Sequence, residues 1–132
     1  MQTEYGPRAG RYLLGFCAGF LLLANTVLAE ASDGIKHIVL CWLAQPKAEN
    51  RVRVISTSME LASIPGVVDL VAGTALPGGR DIVDASFDVG VVLTFRNKQD
   101  MENYLGSEAH MSRVREVLRP LCERILVYDI AY

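Results

Sequence analysis

The chain has 132 residues, of which 51% are hydrophobic and 21% charged, and its formal net charge is −2. That length suits one domain rather than two, and the composition is that of a globular chain rather than a disordered one. A mildly acidic balance gives no electrostatic grip on nucleic acid or anionic lipid, so neither is expected as a partner of the mature chain.

Residues 1–29 read as an address. Met1 to Arg11 is polar with two arginines, Tyr12 to Ala24 is nearly all apolar, and Val27-Leu28-Ala29 and Ala29-Glu30-Ala31 both offer small residues at cleavage spacing. This is the three-part pattern of a secretory signal peptide, and the apolar run is short for a membrane span. An uncleaved N-terminal anchor is the alternative. Phe16 before Cys17 spoils a lipobox, and Arg8 and Arg11 are not adjacent, as a twin-arginine signal requires. Export to the periplasm or the medium is expected, with residues 30–132 as the domain. Cleavage removes Arg8, Arg11 and Glu4 and leaves a net charge of −3. Cys17 leaves too, so Cys41 and Cys122 remain in an oxidising compartment.

In the mature chain, Ile35 to Leu43 reads as a central strand. Ile35, His37, Val39, Cys41 and Leu43 lie on one face; Lys36, Ile38, Leu40 and Trp42 lie on the other. Pro46 suits the first turn of a helix whose apolar positions are Val52, Ile55, Met59 and Ala62, ended by Ile64-Pro65-Gly66. Val67 to Gly73 is a second strand. Thr74 to Ser86 has no period and reads as a long mobile loop. Phe87 to Phe95 is a third strand, with Phe87, Val89, Val91, Leu93 and Phe95 on one face.

Asn97 caps a short helix running to Leu105, and Gly106 breaks it. Ser107 caps a second helix with a stripe of Val114, Val117, Leu118 and Leu121, its last turn weakened by Pro120. Arg124 to Ile130 is the fourth strand. The order β-α-β-β-α-β is a ferredoxin-like α+β arrangement, with a four-stranded antiparallel sheet and helices on one face. The helix-covered face is expected to be the one carrying His37. The other face keeps Ile38, Leu40 and Trp42, and pairing two sheets face to face would cover it, so a homodimer is expected.

Several pieces together carry a family resemblance. They are Ile35-Lys36-His37-Ile38-Val39-Leu40, Ile64-Pro65-Gly66-Val67, Gly73, Val92-Leu93-Thr94-Phe95, Tyr104-Leu105 with Ala109-His110, and Val127-Tyr128-Asp129. In this order they resemble the stress-responsive A/B barrel domain family, often called Dabb. The resemblance implies a ferredoxin-like subunit that pairs into a dimeric α+β barrel. Most such proteins have no known activity. One plant member is a cofactor-free polyketide cyclase, whose catalytic tyrosine and histidine look like Tyr104 and His110, and whose strand histidine in the pocket looks like His37. This chain departs from the family's His-Pro-Ala-His by carrying Ser107-Glu108 at the first two positions.

Six residues separate Tyr104 from His110, which is wrong for one face of a continuous helix. The break at Gly106 resets the phase. With Ser107 as N-cap, His110 falls at N3, where the positive helix end disfavours a charged imidazole. A neutral imidazole is a competent general base and a tyrosine hydroxyl can hold an oxyanion or carbonyl, the two roles an aldol or Claisen-type cyclisation needs. His37, Val39, Val91 and Leu105 are the candidate ligand-binding residues around that pair. The opposing interpretation makes His110 a simple capping residue and Tyr104 a core residue bonded to any partner. No metal site is expected, Glu108 beside His110 being the weak third ligand, and Asp88 and Asp129 read as strand-end or turn carboxylates. Cys41 and Cys122 end up on neighbouring antiparallel strands, so one disulfide is geometrically allowed, with two buried thiols as the alternative.

Two functions remain in view. One is a non-catalytic exported binding or stress-response dimer of this type, with a small apolar or phenolic ligand and no cofactor. The other is a cofactor-free cyclase or isomerase on a phenolic or polyketide-like substrate. A haem-degrading or quinol monooxygenase is disfavoured, with Trp42 the one residue in its favour.

Overall fold

The computed structural model describes residues 34–132, and the expected signal peptide and its cleavage sites lie outside the described residues. The elements in order are β1 (Ile35–Leu43), α1 (Ala48–Glu60), a 3-10 turn (Leu61–Ser63), β2 (Val67–Thr74), β3 (Val89–Phe95), α2 (Lys98–Gly106) and α3 (Glu108–Arg113). A π-helical turn (Val114–Leu118), a last helical turn α4 (Arg119–Leu121) and β4 (Cys122–Ala131) follow. The sheet order is β2-β3-β1-β4, every neighbouring pair being antiparallel. This is the ferredoxin-like α+β arrangement the sequence predicts.

The register explains the two faces. Ile35, His37, Val39 and Cys41 on β1 sit opposite Phe95, Leu93, Val91 and Val89 on β3. Side chains alternate along a strand, so these residues share one face, and nearly all of them are buried. Helix α1 packs on β2 and β3, and α2 covers the same two strands. Phe95, Leu93 and Val89, each at most 1% exposed, anchor this core, and burying such side chains contributes roughly 1.5–3 kcal/mol apiece. The opposite face carries Ile38, Val92, Val71 and Tyr128 in one row and Leu40 and Leu126 in the next, with no helix over it. Val71 is 61% and Tyr128 51% exposed.

Several local expectations need correction. The buried face of α1 is Val54, Thr57 and Ser58, continued by Leu61, whereas Val52, Met59 and Ala62 are exposed. The helix meets the sheet on a stripe that alternates apolar and small hydroxyl side chains, so the strongest apolar period points elsewhere. Pro46 lies ahead of the helix, not in its first turn: Lys47 is the N-cap, and the Pro46 carbonyl accepts from the Arg51 guanidinium. The third strand starts at Val89 because the chain bends at Asp88, whose backbone N–H still donates to the Cys41 carbonyl of β1 at 2.9 Å. The Asp88 carboxylate accepts from the Leu43 backbone N–H at 2.9 Å and from Arg51 at 2.7 Å, tying α1 to the end of β1. Phe87 therefore does not share the face of Val89. Its ring stands edge-on to Trp42 and closes over Gly90, on the uncovered face. β4 begins at Cys122, two residues earlier than expected, and β2 extends to Thr74.

Gly66 turns the chain between the 3-10 segment and β2 at φ 96°, a conformation that suits a residue without a Cβ. Cys41 and Cys122 are joined as a disulfide, with their Cα atoms 5.7 Å apart across β1 and β4.

Candidate functional site

Asn97 caps α2 by accepting from the Asp100 N–H at 2.8 Å, and the helix runs on to Gly106. Ser107 then serves both helices. Its hydroxyl donates to the Tyr104 carbonyl at 2.7 Å and accepts from the His110 N–H at 3.2 Å. That double bond closes one helix and opens the next, so the chain turns between Tyr104 and His110 and their rings meet, centroid to centroid, at 4.6 Å.

Tyr104 is 1% exposed and also packs against Phe95 at 5.1 Å and edge-on to His37 at 6.4 Å. Burial raises its phenol above the ordinary range. It is therefore a neutral hydrogen-bond donor at physiological pH, not a phenolate base. Half-buried His110 is pushed the other way. Burial lowers its imidazole below the ordinary value of 6.5, the electrostatic effect of nearby His37 adds to the shift, and the bond to the Leu105 carbonyl opposes it. That bond, Nδ1 to carbonyl oxygen at 3.1 Å, fixes the tautomer: a carbonyl only accepts, so Nδ1 carries the proton and Nε2 is the basic nitrogen.

His37 lies on β1 between Leu93 of β3 and Asp129 of β4. Its Nδ1 donates to the Asp129 carboxylate at 2.6 Å. Asp129 is therefore more than a strand-end carboxylate. The sequence hides this role because the two residues are 92 positions apart and meet only through the strand register.

These groups share one cavity of about 540 Å³, between the helices and the β1–β4 side of the sheet. All six candidates, Tyr104, His110, His37, Val39, Val91 and Leu105, lie on its wall. Leu93 of β3, Ser58 and Leu61 from the α1 side, Val114 and Leu118 from the π-helical segment, and Ile125 and Val127 from β4 also line it, with Arg119 and Glu123 as its two further charged members. Sequence reasoning missed these. The α1 members were hidden by the misassigned helix face, and the π-helical turn leaves no period to read. The turn arises at Pro120, which has no N–H; just before it the Arg119 N–H donates to the Val114 carbonyl, five residues back. Cys122, bonded to buried Cys41, also borders the cavity. Among the described residues no group of three or more metal-ligating side chains occurs, and Glu108 pairs with Arg115 rather than with His110.

The family model of the stress-responsive A/B barrel domain matches residues 35–132. The chain belongs to this family. Among solved structures, this Dabb chain is similar to a Dabb family protein with a ferredoxin-like fold from Mesorhizobium loti, at 20% identity, covering 74% of this chain and 95% of that one, TM-score 0.61. It is also similar to a hydroxynitrile lyase from Passiflora edulis, at 21% identity over 76% and 94% of the two chains, TM-score 0.66. A third is a dimeric ferredoxin-like protein of unknown function from Thermobifida fusca, at 20% identity over 76% and 92%, TM-score 0.62. No curated protein matches. At these identities the likeness establishes the fold of the Dabb domain and leaves its chemistry to the site itself.

Within this Dabb fold the site offers a buried donor, a neutral base and a carboxylate-held imidazole on a largely apolar wall. Such a wall with a few convergent polar groups is how small-molecule sites are built.

Proposed function

We propose that this Dabb domain binds a small, mostly apolar molecule carrying a carbonyl or hydroxyl group, which meets Tyr104 and His110. The observation that carries this reading is the convergence of Tyr104, His110 and His37 on one apolar cavity of about 540 Å³, a volume in the range of small-molecule sites. A thermal-shift screen of wild type beside His110→Ala, against phenolic and β-keto compounds, tests it. A compound that raises the melting temperature of the wild type alone supports the site; a shift equal in both proteins removes His110 from it.

A second reading is catalytic, and the pairing of a neutral Nε2 base with a neutral phenol donor favours it. His110 Nε2 would take a proton from the substrate while Tyr104 donates to the oxygen on which negative charge develops. No step in that sequence calls on a cofactor, and it suits making or breaking a carbon–carbon bond next to a carbonyl. The similar Passiflora protein is a hydroxynitrile lyase.

Two further parts complete the proposal. Two copies pair through the uncovered sheet face, whose apolar rows would otherwise meet water; the similar Thermobifida protein is described as dimeric. Residues 1–29 direct the chain out of the cytoplasm, which suits a Cys41–Cys122 disulfide. N-terminal sequencing of the exported protein tests this: a start at Glu30 or Ser32 supports it, and an intact Met1 opposes it.

A further inference from the structure

Apart from its histidines, the cavity wall carries two charged side chains, Arg119 of α4 and Glu123 of β4. Arg119 also borders an adjoining groove of about 280 Å³ that runs past His110, Val114 and Arg115. It thus stands at the junction of the cavity and its outer approach. Its neighbours on the same helical segment are committed elsewhere. Arg113 bonds Glu60 at 2.8 Å, and Arg115 lies 3.5 Å from Glu108 and 3.4 Å from Glu116. Among the described residues no carboxylate, Glu123 included, lies within ion-pair distance of Arg119.

The backbone accounts for this placement. The π-helical turn Val114–Leu118 inserts one residue into the helical repeat, and one residue is about 100° of rotation. Val114 and Leu118, four apart, would share a helix face in any case; the turn adds Arg119, five on from Val114, to the residues that border the cavity. The aliphatic stem of an arginine can lie along an apolar wall while its head stays at the wet rim. The guanidinium is planar, permanently charged and shaped to hold a carboxylate by two parallel hydrogen bonds.

We propose that Arg119 anchors an anionic head group, so that the ligand is an amphipathic acid: its carboxylate on Arg119, its apolar body along Val39, Leu118 and Val127, and its carbonyl or hydroxyl at Tyr104 and His110. This rests on the reading that the cavity binds a small molecule. Glu123 sets the polarity of the rim, repelling an anion from the β4 side and leaving the helix side as the place for it. Neutral phenols of the same shape fill the wall without using the anchor and bind more weakly.

The test is calorimetric titration of the purified protein with decanoic acid and 6-phenylhexanoic acid, each beside its methyl ester, at about pH 7.5, where such acids are ionised. The wild type is expected to bind the acids about tenfold more tightly than the esters, with the preference shrinking as salt is raised. Arg119→Gln should abolish the preference by weakening the acids alone, Arg119→Lys should restore part of it, and Glu123→Gln should tighten the acids a few-fold. Equal binding of acids and esters by the wild type overturns the anchor and leaves the cavity reading intact. An acid preference that survives Arg119→Gln also overturns it. Binding of neither acid nor ester counts against the anchor and the cavity reading together.

Discussion

His37 and Asp129 stand directly opposite each other on β1 and β4, with Nδ1 2.6 Å from Oδ1. The two ends of this bond differ in environment: the imidazole is 7% exposed and the carboxylate 47%. The inner partner thus depends on the outer one for its hydrogen bond, while the outer one could turn to water. Asp129→Ala is expected to destabilise the protein by about 1 kcal/mol, below the usual range for a lost bond to a charged group because Asp129 is half exposed. Urea denaturation of the variant beside wild type measures this. An unchanged midpoint would mean that water replaces the carboxylate at His37.

The imidazole of His110 makes a pH prediction. Its folded-state value lies below the ordinary value of 6.5, so the unfolded chain binds the proton more readily. The stabilisation is fully present above 6.5 and is lost as pH falls through the folded value. Proton NMR of the His110 ring should show a midpoint below 6.5. His110→Gln should flatten the decline of stability between neutral and mildly acid pH. A midpoint above 6.5 would mean that the Leu105 carbonyl bond outweighs burial.

Tyr104 separates packing from chemistry. Tyr104→Phe keeps the ring against Phe95 and His110, and no buried side-chain atom among the described residues needs its hydroxyl as a partner. The change should cost less than about 1 kcal/mol of stability. Tyr104→Ala should cost about 3–5 kcal/mol through the void it leaves. If Tyr104 donates to the ligand's oxygen, Tyr104→Phe weakens ligand-induced stabilisation while leaving the apo melting temperature nearly unchanged. Equal ligand shifts in both proteins would confine Tyr104 to a packing role.

The disulfide spans 81 positions in sequence. Closing so long a loop removes unfolded-state entropy worth about 4 kcal/mol in the chain-entropy model. Alkylation of the native, air-oxidised mature protein should label no cysteine, and reductant should lower the melting temperature markedly. Two labelled thiols without reductant would show that the cysteines are buried but unbonded in solution.

Pairing through the open sheet face can be broken by one charge. Val71 lies in the apolar row with Ile38, Val92 and Tyr128 and is 61% exposed in the single chain. Val71→Asp should leave the subunit folded, because the residue does not contact the core, and should convert a dimer to a monomer in analytical ultracentrifugation. A variant that remains dimeric would place the interface elsewhere.

Much of this fold was legible in the residues. The alternation along Ile35–Leu43 assigned the correct face to His37, and Asn97, Gly106 and Ser107 marked the helix break that lets Tyr104 meet His110. The signals failed where a local pattern competed with a tertiary demand. Val52, Met59 and Ala62 look like a core stripe, yet α1 buries Val54, Thr57 and Ser58, since the angle at which a helix meets its sheet is set by the whole layer. Phe87 continues the alternation of β3, yet the chain bends at Asp88, whose carboxylate is held by Leu43 and Arg51, and the phase is lost.

The sequence by itself determined the element order, the two-faced sheet and the Tyr104–His110 pair, because strand alternation, caps and breaks act over a few residues. Only the tertiary structure decided that Asp129 holds His37, that the π-helical turn carries Arg119 to the cavity, and that Cys122 reaches Cys41. Each of these depends on strand register or helical phase, which accumulates along the whole chain and so cannot be read from any one segment.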